Sequence, residues 1–338
     1  MTRVVSLFLP TWSTDRLRRK AGDAAPPPEA PLVLIGREGS RRVVLAADAA
    51  AHAAGLRVGM PVAKAQIIVP ALIIKDADPA ADVDALDRLA LWILQRFAPI
   101  VAADPPDGIV IDSTGADHLH GGELAMLDAL IGRLAMSGVA ARAAIADSWG
   151  AAHALARYVA RPTFIAPPGH GASAIAQLPL EALRLPAAIS GDLRVLGFEH
   201  VHDIRAQPRA PLILRFGPEL GRRLDQALGQ DAEPIEPIRP PDLVEVRRAF
   251  AEPIGAAETI ARYVGKLVID LCAALEDKGL GARRLDLLCR RVDNRMQAVR
   301  VGTAQPVRDN KRLTRLICDR IETIDPGFGI EAMTLAAT

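Results

Sequence analysis

Val44–Pro70 reads VLAADAAAHAAGLRVGMPVAKAQIIVP, and its punctuation sets the layout of the first half of the chain. The aliphatic start belongs to a strand, Arg42–Ala46, rich in residues that suit a pleated sheet. An alanine-rich helix, Ala47–Ala54, follows and stops at Gly55, which can adopt the left-handed conformation that ends helices. Gly59-Met60-Pro61 turns the chain again. Pro61 has the fixed φ and missing N–H that suit a helix start, here for Val62–Ile68. Working upstream, Pro31–Ile35 pairs with Arg42–Ala46 across the Gly-containing turn Gly36–Ser40. Ala21–Pro31 is a Pro- and Ala-rich loop, and Val4–Leu9 is a short buried strand closed by Pro10.

Downstream, the pattern predicts a long amphipathic helix at Asp82–Phe97, then strands at Ile100–Ala103 and Gly108–Asp112. A helix at Glu123–Met136, a strand at Ala140–Ala146 and a helix at Ser148–Val159 complete an α+β unit with helices on one face of a sheet. Pro162–Gly169 is a candidate boundary. Short helices follow at Leu180–Leu185, Ile189–Leu196, Val201–Ala206, Leu212–Phe216 and Glu219–Ala227, and then the proline-rich linker Pro234–Pro241. The remainder has βαββαβ order: Leu243–Phe250, Ala256–Lys278, Arg283–Arg291, Arg295–Gly302, Lys311–Ile321 and Glu331–Leu335. At roughly a hundred residues this last unit is sized for its own core.

The 338 residues imply two to four packed units, half apolar and a quarter charged, which is ordinary globular composition. Apolar runs such as Ile67–Ile74 stop far short of the ~20 residues that span a bilayer. No small-residue cleavage pattern follows Val4–Leu9, so no signal peptide is expected. Cys272, Cys289 and Cys318 are far apart with no CxxC, which argues against a disulfide framework or zinc knuckle and suits a reducing cytoplasm. The net charge is only +1, yet Arg283–Arg320 holds 11 basic and 4 acidic residues, a net of +7 that leaves −6 elsewhere. Such clustering is the footprint of a polyanion-binding surface.

Four stretches together resemble the Y-family translesion DNA polymerases. Val44–Pro70 resembles the family's fingers segment, and Ile111–Glu123 (IDSTGADHLHGGE) the palm strand after its catalytic Ser-x-Asp-Glu. Leu193–Pro208 with Arg215–Leu224 (RFGPELGRRL) resembles the helix-hairpin-helix thumb, and the terminal βαββαβ unit the little finger. The resemblance implies an α+β multidomain right hand. Its expected palm is residues 1–10 and 76–165, fingers 11–75, thumb 166–232, linker 233–242 and little finger 243–338.

Against that family the chemistry departs. Polymerases hold two divalent metals with carboxylates from neighbouring palm strands. The family's first strand ends in Asp-x-Asp-x-Phe-Phe, whereas here Phe8 lies where the first metal-binding aspartate belongs. The Ser-x-Asp-Glu cluster corresponds to Pro105-Pro106-Asp107-Gly108, so Asp107 keeps its acid and Gly108 replaces the glutamate. The fingers Tyr and Arg that hold a triphosphate correspond to Ala49 and His52, and a neutral histidine replaces a guanidinium poorly. This combination resembles the ImuB-type members, which implies no metal, no cofactor and no catalysis. It further implies a DNA-binding scaffold in a bacterial SOS mutagenesis complex, with a sliding clamp, a RecA-like accessory protein and a C-family error-prone polymerase as partners. The alternative is an active Mg-dependent translesion polymerase whose metals sit on relocated acids, Asp104, Asp107, Asp112 or Asp117.

Sequence-independent DNA contacts are expected from Arg283, Arg284, Arg290, Arg291, Arg295 and Arg300 on two strands and from Lys311, Arg312 and Arg315 on the next helix. Side chains alternate along a strand, so only about half of the strand arginines share a face. His118-Leu119-His120 and His200-Val201-His202-Asp203 each offer two imidazoles but no third His or Cys nearby, and read as turn or capping residues rather than zinc ligands. Gln177-Leu178-Pro179-Leu180 resembles a clamp-docking peptide, but it runs straight into a helix where Leu178 and Leu180 suit a core. Leu185–Ser190, at the thumb hairpin, lacks the glycines whose amides cradle a phosphate.

Overall fold

The computed structural model describes residues 2–240 and 243–337, so Pro241 and Asp242, the last two of the expected linker, lie outside the described residues. The chain opens with β1 (Val4–Phe8) and α1 (Trp12–Ala21). A small unit follows: β2 (Leu32–Glu38), β3 (Arg41–Ala47), α2 (Ala49–Ala53), α3 (Val62–Ile68) and β4 (Ile73–Asp76). Its sheet has the order β3-β2-β4, with β2 antiparallel to β3 and parallel to β4. Then come α4 (Pro79–Arg96), β5 (Ile100–Asp104), β6 (Gly108–Asp112), α5 (Glu123–Met136), β7 (Arg142–Ala146), α6 (Trp149–Tyr158) and β8 (Thr163–Ile165). Together with β1 they form a five-stranded sheet, β5-β6-β1-β7-β8, in which β1 is central and antiparallel to both neighbours.

Alternation along β1 divides the core. Val5 and Leu7 pack with Leu86 and Ile93 of α4 and with Met126 and Leu130 of α5. Val4 and Phe8 look the other way, toward Ala151 and Leu155 of α6. Helices therefore cover both faces, not one as the sequence pattern suggested. Small residues explain how α6 fits: Gly150, Ala151, Ala152, Ala154 and Ala156 are all buried, so the helix lies close on the sheet. Three further elements carried no assignment from sequence. The charged α1 buries little beyond Trp12 and Thr14. The four-residue β4 and the three-residue β8 are edge strands held by parallel pairing, and β8 lies inside the segment read as a boundary.

Short helices α7 (Gly171–Ala174), α8 (Ala187–Val195), α9 (Val201–Arg205), α10 (Arg209–Phe216) and α11 (Pro218–Ala227) follow. Their apolar residues, among them Leu193, Ile204 and Leu224, join the α6 side of the core. The proline-rich segment runs along the sheet edge, where Ile238 N donates to Val101 O at 2.8 Å. The C-terminal unit comprises β9 (Val244–Ile254), α12 (Ala257–Asp277), β10 (Ala282–Arg291), β11 (Met296–Val307), α13 (Asn310–Cys318) and β12 (Ile330–Ala337). Its sheet has the order β11-β10-β12-β9, with α12 and α13 packed over Leu285, Leu287 and Met333 on one face. The other face meets the central sheet through Leu288, Met296 and Ala298. Among the described residues, no helix is long and apolar enough to cross a membrane.

Candidate functional site

Phe8 sits at the end of β1, opposite Gly108 on one side and Arg142 on the other. The three positions expected to be degenerate palm positions, Phe8, Asp107 and Gly108, therefore do converge at one end of the sheet. What fills the space between them comes from α6. Arg157 Nη2 donates to Asp107 Oδ1 at 2.6 Å, and the guanidinium carbon lies 4.7 Å from the centre of the Phe8 ring. A Cβ added at Gly108 would be 3.1 Å from Arg157 Nη2 and 3.2 Å from Asp104 Oδ2, so a larger side chain there would displace one of them. The space that a side chain at position 108 would take is occupied by the Arg157 guanidinium and the Asp104 carboxyl.

Asp104 and His153 complete this corner. Burial pushes the Asp104 carboxyl above its ordinary range, with nearby Arg157 and Arg184 pulling the other way. Burial, followed by the fields of Arg157, Arg184 and Arg223, pushes His153 down to about 2. His153 Nε2 lies 3.8 Å from Asp104 Oδ2, but a neutral imidazole makes this an approach and not an ion pair. Glu233, at the start of the proline-rich segment, takes Arg184 at 2.6 Å and Arg223 at 3.0 Å, and Arg184 also covers Trp149. Three carboxylates on this face thus stand against three arginines. Divalent cations are drawn to carboxylates in excess, and here the negative charge is already matched.

The relocated acids do not assemble. Asp112 lies at the far end of β6, opposite Val4 and four residues from Gly108, which is about 13 Å along a strand. Its Oδ1 accepts from Thr114 N at 2.9 Å, and burial raises its carboxyl. Asp117 starts a separate short turn, Asp117–His120. Asp104 and Asp107 alone are close enough to interact, and both face Arg157. At the nucleotide positions, Ala49 and His52 share one face of α2. That helix is capped by Asp48, whose Oδ1 accepts from Ala51 N at 2.8 Å and which pairs with Arg18.

The basic residues of the C-terminal unit scatter. Arg291 is buried and held by Asp293 at 2.7 Å and Asp325 at 2.9 Å, so it is a structural clamp rather than a phosphate contact. Arg300 forks onto Asp286 with two 2.7 Å bonds and donates to Leu94 O at 2.8 Å. Arg284 donates to Gln95 O, and the two arginines together satisfy carbonyls in the last turn of α4. Arg290 approaches Glu236 at 3.5 Å. Arg283 and Arg295 are exposed at the rim, Arg295 near Asp293, while Lys311, Arg312 and Arg315 are exposed on α13, on the helical side. Counting charges along the sequence treated these nine as equivalent, and only their acidic partners separate them.

His200, His202 and Asp203 bring ligand atoms within 4.8 Å of one another. Asp203 is already engaged as a cap, accepting from Glu199 N and His200 N, which holds its carboxyl below the usual range. His120 instead stacks on Phe97, with ring centres 5.1 Å apart. Leu180 is fully buried and Pro179 bridges to His200, so the end of the Gln177–Leu180 stretch is tied into the helical segment rather than free. The residue that defines the corner, Arg157, was not anticipated. Its only sequence signal was an arginine near the end of a helix rich in small and apolar residues.

Two models of the impB/mucB/samB family match the chain, the family itself over residues 28–162 and its C-terminal domain over residues 244–338. Protein ImuB of Caulobacter vibrioides (strain NA1000 / CB15N) is 48% identical over 283 residues, which are 84% of this chain and 61% of that protein. The chain thus spans less than two thirds of the length of this relative. DNA polymerase IV of Halorhodospira halophila (strain DSM 244 / SL1) is 27% identical, over 85% of this chain and 81% of its own. Among solved structures, an insertion ternary complex of Dbh DNA polymerase superposes with a TM-score of 0.57 at 15% identity, covering 99% of this chain and 98% of that one. DinB from Sulfolobus solfataricus gives the same TM-score, identity and coverage. With sequence matches on both the central and the C-terminal units, and a likeness of fold that runs the whole length, the chain belongs to the impB/mucB/samB family and carries the Y-family DNA polymerase fold.

Proposed function

We propose that this chain is a non-catalytic Y-family polymerase homologue that serves as a DNA-binding scaffold in bacterial mutagenic translesion synthesis. One observation carries the reading: Arg157 lies against Phe8 and Asp107, in the space where the polymerase pattern places metal-binding carboxylates. A fixed guanidinium repels divalent cations and neutralises the acids that would have bound them. In this reading the central sheet is the palm, the β2–β4 unit the fingers, α7–α11 the thumb and the C-terminal unit the little finger. The 48% identity to a protein named ImuB supports a role in mutagenesis. The sliding clamp, RecA-like protein and C-family polymerase remain partners proposed from that family likeness.

DNA binding in this reading falls to cations with no carboxylate partner among the described residues, Arg283 at the rim and Lys311, Arg312 and Arg315 on α13, and to Arg295 at the other end of the β10–β11 hairpin, 3.7 Å from Asp293. The test runs primer extension with Mg²⁺ or Mn²⁺ beside an anisotropy titration of the same primer–template. The expected result is salt-sensitive binding without extension. Extension that disappears in Asp107→Ala, or an absence of DNA binding at low salt, contradicts the proposal.

A further inference from the structure

A cleft of about 490 Å³ opens between α1, α4 and α5, on the face of the central sheet opposite Phe8 and Arg157. Its floor is apolar, built from Trp12, Leu89, Trp92 and Leu134. Its rim is basic: Arg16, Arg19, Lys20, Arg88 and Arg133 line it, with no acidic side chain among the lining residues. Among the described residues only Arg16 of these five has an ion-pair partner, Asp82. Four cations are therefore held together without carboxylates, around a volume that fits a few side chains.

We infer that this cleft is a docking site for an acidic peptide segment of a partner protein, anchored by an aliphatic or aromatic side chain. The inference stands on the cleft alone and does not depend on the absence of catalysis at the opposite face. Tryptophan and arginine together are the residues that dominate protein–protein contacts, and a basic rim selects an acidic partner. Nucleic acid would share the charge, but it would need open ring faces on which bases stack. Trp12 offers none, and Trp92 has one face already taken. Trp12 is only 3% exposed, with its Nε1 donating to Asp82 O at 3.0 Å, and Trp92 is capped by Arg96 at 5.2 Å from the ring centre. The floor suits the side of an alkyl chain or a ring edge, not a stacked base.

The test titrates the whole chain with a short fluorescein-labelled peptide of Asp and Glu carrying a central Leu-Phe pair. An all-Glu peptide and oligo-dT serve as competitors. Arg19 and Arg88 are exposed and have no ion-pair partner among the described residues, so Arg19→Glu with Arg88→Glu reverses two of the five rim charges without touching the core. The expected result is saturable binding, weakened about tenfold or more by the double reversal and unchanged in Arg312→Glu, with the all-Glu peptide competing about tenfold less well. Four outcomes overturn the inference. They are no saturable peptide binding, equal competition by the all-Glu peptide, displacement by oligo-dT at equal or lower concentration, and a double reversal without effect.

Discussion

At position 157 a guanidinium rests 4.7 Å from the Phe8 ring centre and 2.6 Å from Asp107, so its removal has two consequences. The ring loses its cation, and the half-buried Asp104 loses a compensating charge. We expect Arg157→Met to lower unfolding free energy by about 2 kcal/mol in urea, a figure kept small because Asp107 is partly exposed. His153 gives a signed pH dependence. It titrates at an ordinary 6.5 when unfolded and near 2 when folded, so below pH 6.5 the unfolded chain binds a proton that the native state refuses. Stability should therefore fall with acidification by at most about 1.4 kcal/mol per pH unit, and His153→Gln should flatten that loss in urea titrations across the range. Asp104 acts in the opposite sense, because its carboxyl is raised in the fold. Asp104→Asn should stabilise at neutral pH, with the gain shrinking as pH falls toward the unfolded value. At this scale the sequence pattern suggested that Phe8 and Gly108 stand where the family keeps acids. It held no sign of the arginine beside them, because Arg157 lies fifty residues from Asp107 and reaches it only through the packing of α6.

Among the elements, α6 sets how closely the helical segment approaches the sheet. A Cβ at Gly150 would fall 2.8 Å from Ala227 Cα and 3.0 Å from its backbone nitrogen, so α11 would have to move. Gly150→Ala should cost about 1–3 kcal/mol, read as a lower midpoint in thermal denaturation. The strong periodic elements were legible: Val62–Ile68 and Glu123–Met136 have the expected bounds, and all six elements of the C-terminal unit occur in the expected order. The edge strands β4 and β8 were not, since four and three residues carry too little alternation and their parallel partners are distant in sequence. α1 escaped notice because its charged face outweighs the two buried side chains that hold it. The second helical layer was hidden for a related reason, because alanine marks a helix without saying which face of a sheet receives it.

For the molecule as a whole, charge distribution matters more than charge. Arg284 and Arg300 fasten the C-terminal unit to the end of α4, Arg291 fastens a loop within that unit, and the cations of α13 face outward. Replacing Lys311, Arg312 and Arg315 together with Glu should weaken primer–template binding and flatten the slope of log K against log salt by up to about three units, while Arg291→Ala should reduce stability and leave the slope unchanged. Anisotropy at several salt concentrations separates the two. If Arg157 stands where polymerases hold metal, Mn²⁺ titration followed by electron paramagnetic resonance, with primer–template and a nucleotide present, should show no Mn²⁺ bound to the protein beyond that held by DNA and nucleotide alone. A protein-dependent Mn²⁺ signal that Asp107→Ala removes would contradict it.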